Sequence, residues 1–337
     1  MGIAVKSGFL NCLTKKYCLI FIVIAVTLIS GCANSAEPVA TPTPFVELTR
    51  EEAIPTNAVK MTLETDAFPP FLNSDEFENP VPLGQAVNTA GGEDSAFITP
   101  DGSTLYLFFT PDVNIPAEKQ LLDGVTGIYI SEKQDGDWGT AQRVVLEDED
   151  ELALDGCVFV QGDEMWFCSA RAGNYRGVDM WTARFNTGRW ADWENAGDKL
   201  NVDYEIGELY VTADGNEIYF HSSRAGESGG YDIWVTRLLN GEWQEPENIR
   251  EVNTPDTEGW PFITQDGKEL WFTRFYMGYP AIFRSHMLDG KWGEPELIIS
   301  QFAGEPSLDN QGNLYFTHHY FKDGKMIEAD IYVAYRK

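Results

Sequence analysis

Basic residues are scarce in this chain. Against 53 aspartates and glutamates it sets 24 lysines and arginines and four histidines, giving a formal net charge of −29 over 337 residues. Three of the lysines fall in the first 31 residues, which hold no acid, so residues 32–337 carry −32. A field of that sign repels phosphate backbones and anionic lipid headgroups, and it excludes nucleic acid as a partner. Cysteine is scarcer still. Of five, only Cys157 and Cys168 lie beyond residue 32, which leaves no cluster with metal-site spacing. No pair of histidines stands four residues apart, and His318 and His319, being adjacent, face opposite sides of a strand. The acidic run Glu147-Asp148-Glu149-Asp150-Glu151 lacks the spacing and glycine of a calcium loop. No metal and no cofactor is expected. The apolar run from Tyr17 to Ser30 has 14 residues, short of the ~20 that span a bilayer.

Aromatic residues and glycine are abundant. Ten Trp, 14 Tyr and 20 Phe stand beside 31 Gly, and 43% of the chain is hydrophobic. A chain this apolar does not remain disordered despite its charge, and the balance points to aromatic strands parted by tight turns, hence to an all-β protein. One unit recurs through the sequence. Its clearest copy runs from Glu208 to Trp243: a strand, an Asp-Gly turn, the strand IYF, Ser-Arg, a Gly-rich loop, the strand DIWV, a short turn and a Trp. Turn glycines at 102, 162, 215, 267 and 312 each precede an aromatic strand, and their spacings are 60, 53, 52 and 45 residues. That is the scale of one four-stranded propeller blade. The fifth copy ends after its third strand. The missing piece stands near the other end, where FENPVPLGQAVN at 77–88 matches WQEPENIREVN at 243–253 in its leading aromatic, its Pro and its terminal Val-Asn. The expected fold is therefore a five-bladed β-propeller whose last blade is completed by residues 77–88.

Within the aromatic strands, Tyr106, Trp166, Tyr219, Trp271 and Tyr315 fall on one face, as packing between blades requires. The turn residues Asp101, Asp214 and Asp266 and the strand-leading Asp179, Asp232 and Asp330 suit hydrogen bonds to nearby backbone. Counting seven back from each turn glycine gives Ser95, Asp155, Glu208, Trp260 and Glu305, with Asp94 and Glu258 close by, so acid gathers near the propeller axis. Arg171, Arg224, Arg274 and His318 end the second strands. These, with Trp260, Glu258 and Glu305, are the expected ligand-binding residues at the channel mouth. Cys157 and Cys168 bracket a hairpin turning at Gly162-Asp163, in whose register they face each other. Both a disulfide and two small buried thiols suit that placement.

The repeat Ser/Thr-x-Asp-Gly-x-x-Leu/Ile-Tyr/Trp-Phe, Ser-x-Arg, Gly-rich loop, Asp-Ile-Tyr/Trp resembles the WD-repeat-like propeller repeat of TolB-type periplasmic proteins over residues 77–336. It departs at Gly127 and Ala281, where the strand-leading Asp is missing. The resemblance implies a binding or scaffolding platform. Upstream, Leu28-Ile29-Ser30-Gly31-Cys32 after Lys15-Lys16 and the apolar run resembles the lipobox of bacterial lipoproteins, which implies a signal peptide at 1–31 and a lipidated Cys32. Ala33 is what that family associates with outer-membrane sorting. Residues 32–59, with Pro38, Pro42, Pro44 and Pro55, read as a flexible stalk, and 60–337 as the propeller domain. The expectation is an envelope protein, membrane-tethered and facing the periplasm, that meets another envelope protein or a saccharide. The rival expectation is a hydrolase. Five-bladed propellers include furanosidase-like glycoside hydrolases, and likeness to these would put the carboxylate roles on Asp94, Asp155 and Glu208.

Overall fold

The computed structural model describes residues 48–149, 151–224 and 230–337. Cys32, the expected signal peptide and the stalk as far as residue 47 lie outside the described residues. The protein is all-β, as the composition requires: helix among the described residues is confined to single turns at Arg50–Ala53, Ala117–Gln120 and Lys199–Asp203, none of them able to cross a membrane.

Each repeat folds as an antiparallel meander. In the second, Ala153–Gln161, Glu164–Arg171, Asp179–Asn186 and Arg189–Asn195 pair in chain order. The fourth strand is continuous only there. Elsewhere it breaks into two pieces, Asp137–Trp138 with Gln142–Arg143, Glu242–Trp243 with Glu247–Asn248, and Lys291–Trp292 with Glu296–Ser300; Pro246 and Pro295 stand in the last two gaps and offer no N–H to the ladder. The turn aspartates act locally. Asp101, Asp214 and Asp266 each accept from the backbone N–H two residues on and from the Thr hydroxyl two residues back, at 2.7–3.1 Å.

Packing between repeats follows the alternation in the sequence. Tyr106 meets Trp190 and Tyr219 meets Trp292, each aromatic of a second strand lying edge-on to the fourth-strand Trp of the next repeat, and Tyr315 of the last repeat meets Trp138 of the first in the same way, all at 6.2–6.5 Å. Trp271 has Phe77 in that place, at 6.0 Å. Such edge contacts add ~0.5–1.5 kcal/mol each beyond the area they bury.

Phe77 belongs to the segment expected beside the last strand, and it lies there. Val81 pairs with Val333, Pro82 with Tyr332, and Phe77 bridges to Arg336. The strand is shorter than 77–88, only Val81–Pro82, since Pro80 and Pro82 cannot donate. Asn88 takes over beyond it, accepting from Ile331 N–H and donating to Ile331 C=O, each at 2.9 Å. Asn253 does the same for Ile233 and Asn201 for Met180. These asparagines stand in for a strand where the chain has none. Further along the same edge the last strand touches the first repeat through one parallel pairing, Ala329 with Gly92.

The stalk expected to run to residue 59 gives way to packed chain from about residue 49. Thr49 caps the turn Arg50–Ala53, and Arg50 is buried. Further on, Lys60 sits between Glu328 and Asp330 at 2.5 Å, and Phe71–Leu72 pairs with the outer strand of the fourth repeat, covering an edge that would otherwise hold unpaired backbone groups.

Candidate functional site

The first strands carry the site because four of the five are bulged at the same place. The register slips between Asp94 and Phe97, Gly156 and Phe159, Gly259 and Phe262, and Gly304 and Ser307. The residue after the slip has positive φ: Ser95 50°, Cys157 52°, Trp260 52° and Glu305 58°. Such backbone costs ~1–3 kcal/mol in a residue with a Cβ, and a bulge re-aims its side chain. In the third repeat Glu208 follows Gly207 at the same place. The result is that Ser95, Cys157, Glu208, Trp260 and Glu305, one from each repeat, line a single small cavity of about 50 Å³.

The residue before each of these is glycine except in the first repeat, and close approach explains it: a Cβ on Gly259 would meet the His221 ring at 3.1 Å, and one on Gly304 the Thr273 hydroxyl at 3.2 Å. Asp94 breaks the pattern. Its carboxylate lies 3.5 Å from His319 Nε2, and one ligand-type atom of each of Asp94, Glu305 and His319 falls within 4.8 Å of the others. The set could coordinate a cation, which the sequence gave no reason to expect.

Glu305 is held from three sides. Ser95 N–H donates to its Oε2 at 2.7 Å, Thr317 Oγ1 donates to the same oxygen at 3.1 Å, and its own N–H donates to Thr273 Oγ1 at 2.7 Å. Burial and the charges of Asp94 and Glu208 push its carboxyl well above the usual range, so it keeps its proton and shares it with Asp94. Burial also penalises the Asp94 charge, but the His319 imidazolium and the hydrogen bonds of Glu305 and Ser95 outweigh it and hold Asp94 below the usual range. His319 is raised: burial works against its charge and Asp94 prevails. Burial and then Asp94 push Glu208 up to about 8. Burial alone brings His221 down to about 4, and this neutral ring accepts from Trp260 N–H through Nδ1 at 3.4 Å. One ionised carboxylate thus stands beside one imidazolium, between two carboxylic acids.

A larger cavity of about 750 Å³ opens beside the cluster, with Trp260, Glu305 and His319 at its floor and Phe275, Tyr279, Phe302 and Phe321 in its walls. Tyr279 and Phe321 flank the Phe302 ring at 4.4 Å each. Phe68 from the N-terminal segment completes the wall, 5.6 Å from Phe302.

Of the residues expected here, Glu208, Trp260, Glu305 and Asp94 are brought together. Asp155 is not. The second repeat turns in a two-residue hairpin closed by Gln161 and Glu164, two residues shorter than the Asp-Gly turns, so Cys157 takes the cavity position and Asp155 falls back to the level of Glu258. There it is buried against Arg171 at 2.6 Å. Cys157 is bonded to Cys168, with Cα atoms 5.3 Å apart. The arginines are committed within the fold: Arg171 also donates to Leu146 C=O and stacks on Trp181, Arg274 holds Glu258 at 2.8 Å and stacks on Phe283, and Arg224 reaches Glu245 at 2.5 Å and stacks on Trp234. His318 is fully buried on the far face of its strand, 2.9 Å from Asp66. Its neighbour His319 faces the cavity. Strand parity carried that signal, because Thr317 and His319 share the face of Thr273, while His318 shares that of Arg274.

No family model matches the chain. None of the curated proteins matches it either. Among solved structures it is similar in outline to TolB from Acinetobacter baumannii, at 14% identity and a TM-score of 0.43 over 75% of this chain and 56% of that one. It is similar also to the protein described as Bacteroides ovatus xyloglucan PUL GH43B, at 13% identity and a TM-score of 0.47 over 76% and 54%. A third is an α-L-arabinofuranosidase from Podospora anserina in complex with cellotriose, at 11% identity and a TM-score of 0.44 over 76% and 95%. The chain spans little more than half the length of the first two. Likeness at this level says nothing of chemistry, since one outline hosts unrelated activities.

Proposed function

We propose that residues 77–337 form a five-bladed β-propeller closed by its N-terminal strand, and that it is a saccharide-binding module of the cell envelope, tethered through a lipid on Cys32. The observation that carries this reading is the aromatic-walled cavity of about 750 Å³ with Glu305 and His319 at its floor. Aromatic faces suit the C–H faces of sugar rings, and the few convergent polar groups beneath them suit hydroxyls. Charge supports a neutral ligand. The Asp94 carboxylate is balanced by the His319 imidazolium, and Glu208 and Glu305 keep their protons, so the floor offers donors and acceptors with little net field. The closed ring rests on the pairing of Val81 and Pro82 with the last strand and on Phe77 filling the place of a fourth-strand Trp. The test is a glycan array probed with the full chain in detergent. Selective retention of neutral glycans, lost in Trp260→Ala, is expected; retention of none, or equal retention by the variant, overturns the reading. Envelope tethering is tested separately: Cys32→Ala moves the protein from the membrane fraction to the soluble one.

One observation favours a second reading. Glu208 and Asp94 have their acidities driven apart, one kept as an acid and the other as a base, which is what glycosidic cleavage by two carboxyl groups uses. Hydrolysis of a bound glycan by the wild type, abolished in Glu208→Gln with binding retained, would establish it.

A further inference from the structure

A second cavity, of about 410 Å³, lies against Trp260 and Glu208 and is lined further by His221, Tyr231, Arg176 and Glu205. Trp260 lines this cavity, the small central one and the larger aromatic one; Glu208 joins it to the centre, and Glu305 joins the centre to the aromatic cavity. The three form one strip with the indole at its middle. That indole is fixed: its residue sits on a bulge at φ 52°, the backbone N–H of that residue donates to His221, and the indole ring lies 5.2 Å from His221, which is itself 4.9 Å from Tyr231. Each outer cavity falls within the ~300–1,000 Å³ of small-molecule sites, and a single sugar ring cannot touch both aromatic walls. The second cavity has its own polar edge in Arg176, Glu205 and the Tyr231 hydroxyl, suited to ring hydroxyls rather than to a lipid tail.

Building on the saccharide reading above, we propose that the ligand is a linear oligosaccharide laid across Trp260, with one segment in the aromatic cavity and the next in a second subsite walled by Tyr231. Continuity carries this: the two cavities share Trp260 and are joined through the central one by Glu208 and Glu305, and a chain is the neutral, hydroxyl-rich ligand that fills both.

The experiment is calorimetric titration of the full chain with cello-, xylo-, malto- and laminari-oligosaccharides of one to six rings, for wild type and Tyr231→Ala. Tyr231 is 43% exposed, so its truncation leaves the core intact. The expected result is an affinity that rises about tenfold between the shortest bound member and the longer ones of one series. Tyr231→Ala removes that gain and changes binding of the shortest member less than twofold. Affinity independent of length, or a Tyr231→Ala loss equal for short and long members, overturns the second subsite and leaves the saccharide reading standing. Absence of binding across all four series overturns both.

Discussion

Arg50 meets Glu93 as Arg274 meets Glu258. Each guanidinium contacts its carboxylate, at 3.2 and 2.8 Å, and donates to the carbonyl of a valine six residues before that acid, Val87 and Val252, at 2.8 and 2.7 Å. Each carboxylate also accepts from the N–H and hydroxyl of a threonine, Thr89 or Thr254. Arg274 comes from its own repeat. In the first repeat Phe109 stands at the paired position, and the N-terminal segment supplies the missing charge, stacked on that same Phe109 at 5.4 Å.

Arg50→Ala therefore strands a buried acid. Removing one partner of a buried pair costs ~3–5 kcal/mol, less where the orphan can take up a proton, and Glu93 can: burial already pushes it up to about 7. A loss of about 3 kcal/mol in urea denaturation is expected at pH 8, and a smaller loss at pH 5.5. Equal losses at the two values would contradict the assignment.

Stability itself should fall as pH rises from about 4.5 to about 8. Glu93 at about 7 and Glu208 at about 8 both lie above the free carboxyl at 4.5. Between those limits the folded chain holds more protons than the unfolded one, so stability falls as pH rises. His319, raised by Asp94, contributes in the same direction. His221, at about 4 against an ordinary 6.5, stays neutral while the unfolded ring charges, which opposes this trend below pH 6.5 by one proton against the two held by Glu93 and Glu208. Denaturation midpoints from pH 4 to 9 measure this, and Glu208→Gln should flatten the alkaline limb.

Asn88→Ala should loosen the last strand without disturbing the others. The side chain satisfies both backbone groups of Ile331 and the carbonyl of Leu83, and a buried group left unpaired costs ~1–3 kcal/mol. Hydrogen exchange should speed up at Ile331 and Val333, whereas Asn253→Ala should speed it at Ile233. Identical patterns from the two variants would show that the clamps are not local.

Reduction of Cys157–Cys168 closes off a different contribution. The bond spans a loop of 11 residues, for which roughly 2–3 kcal/mol of stabilisation is expected. Cys157→Ser with Cys168→Ser should lower the unfolding midpoint in non-reducing buffer to the value of the reduced wild type. A double variant as stable as the oxidised protein would contradict it.

Much of the fold was legible because it is built from short-range chemistry. Aspartates two residues from their donors set the turns, alternation set which aromatics face the next repeat, and the match of Phe77 with Trp243 located the strand beside the last one. The site was legible only in part. Glu208, Trp260, Glu305 and Asp94 were placed by counting from the turns. The same count failed at Asp155, because a turn shorter by two residues moves every side chain before it by one full strand period. Reading the second-strand ends as facing the cavity put His318 there, one residue from the side chain that does face it.

The sequence by itself determined the all-β class, the repeating meander and the acid-rich first strands, because periodicity and turn geometry act over a few residues. Only the tertiary structure decided that Arg50, Asp66 and Phe68 belong to the folded body, that the arginines are held by acids within it, and that His319 joins Asp94 and Glu305. Those outcomes depend on bulges that re-aim a side chain within one strand and on contacts between residues more than 200 positions apart. Neither is encoded in any local pattern, and both are settled only when the strands pack.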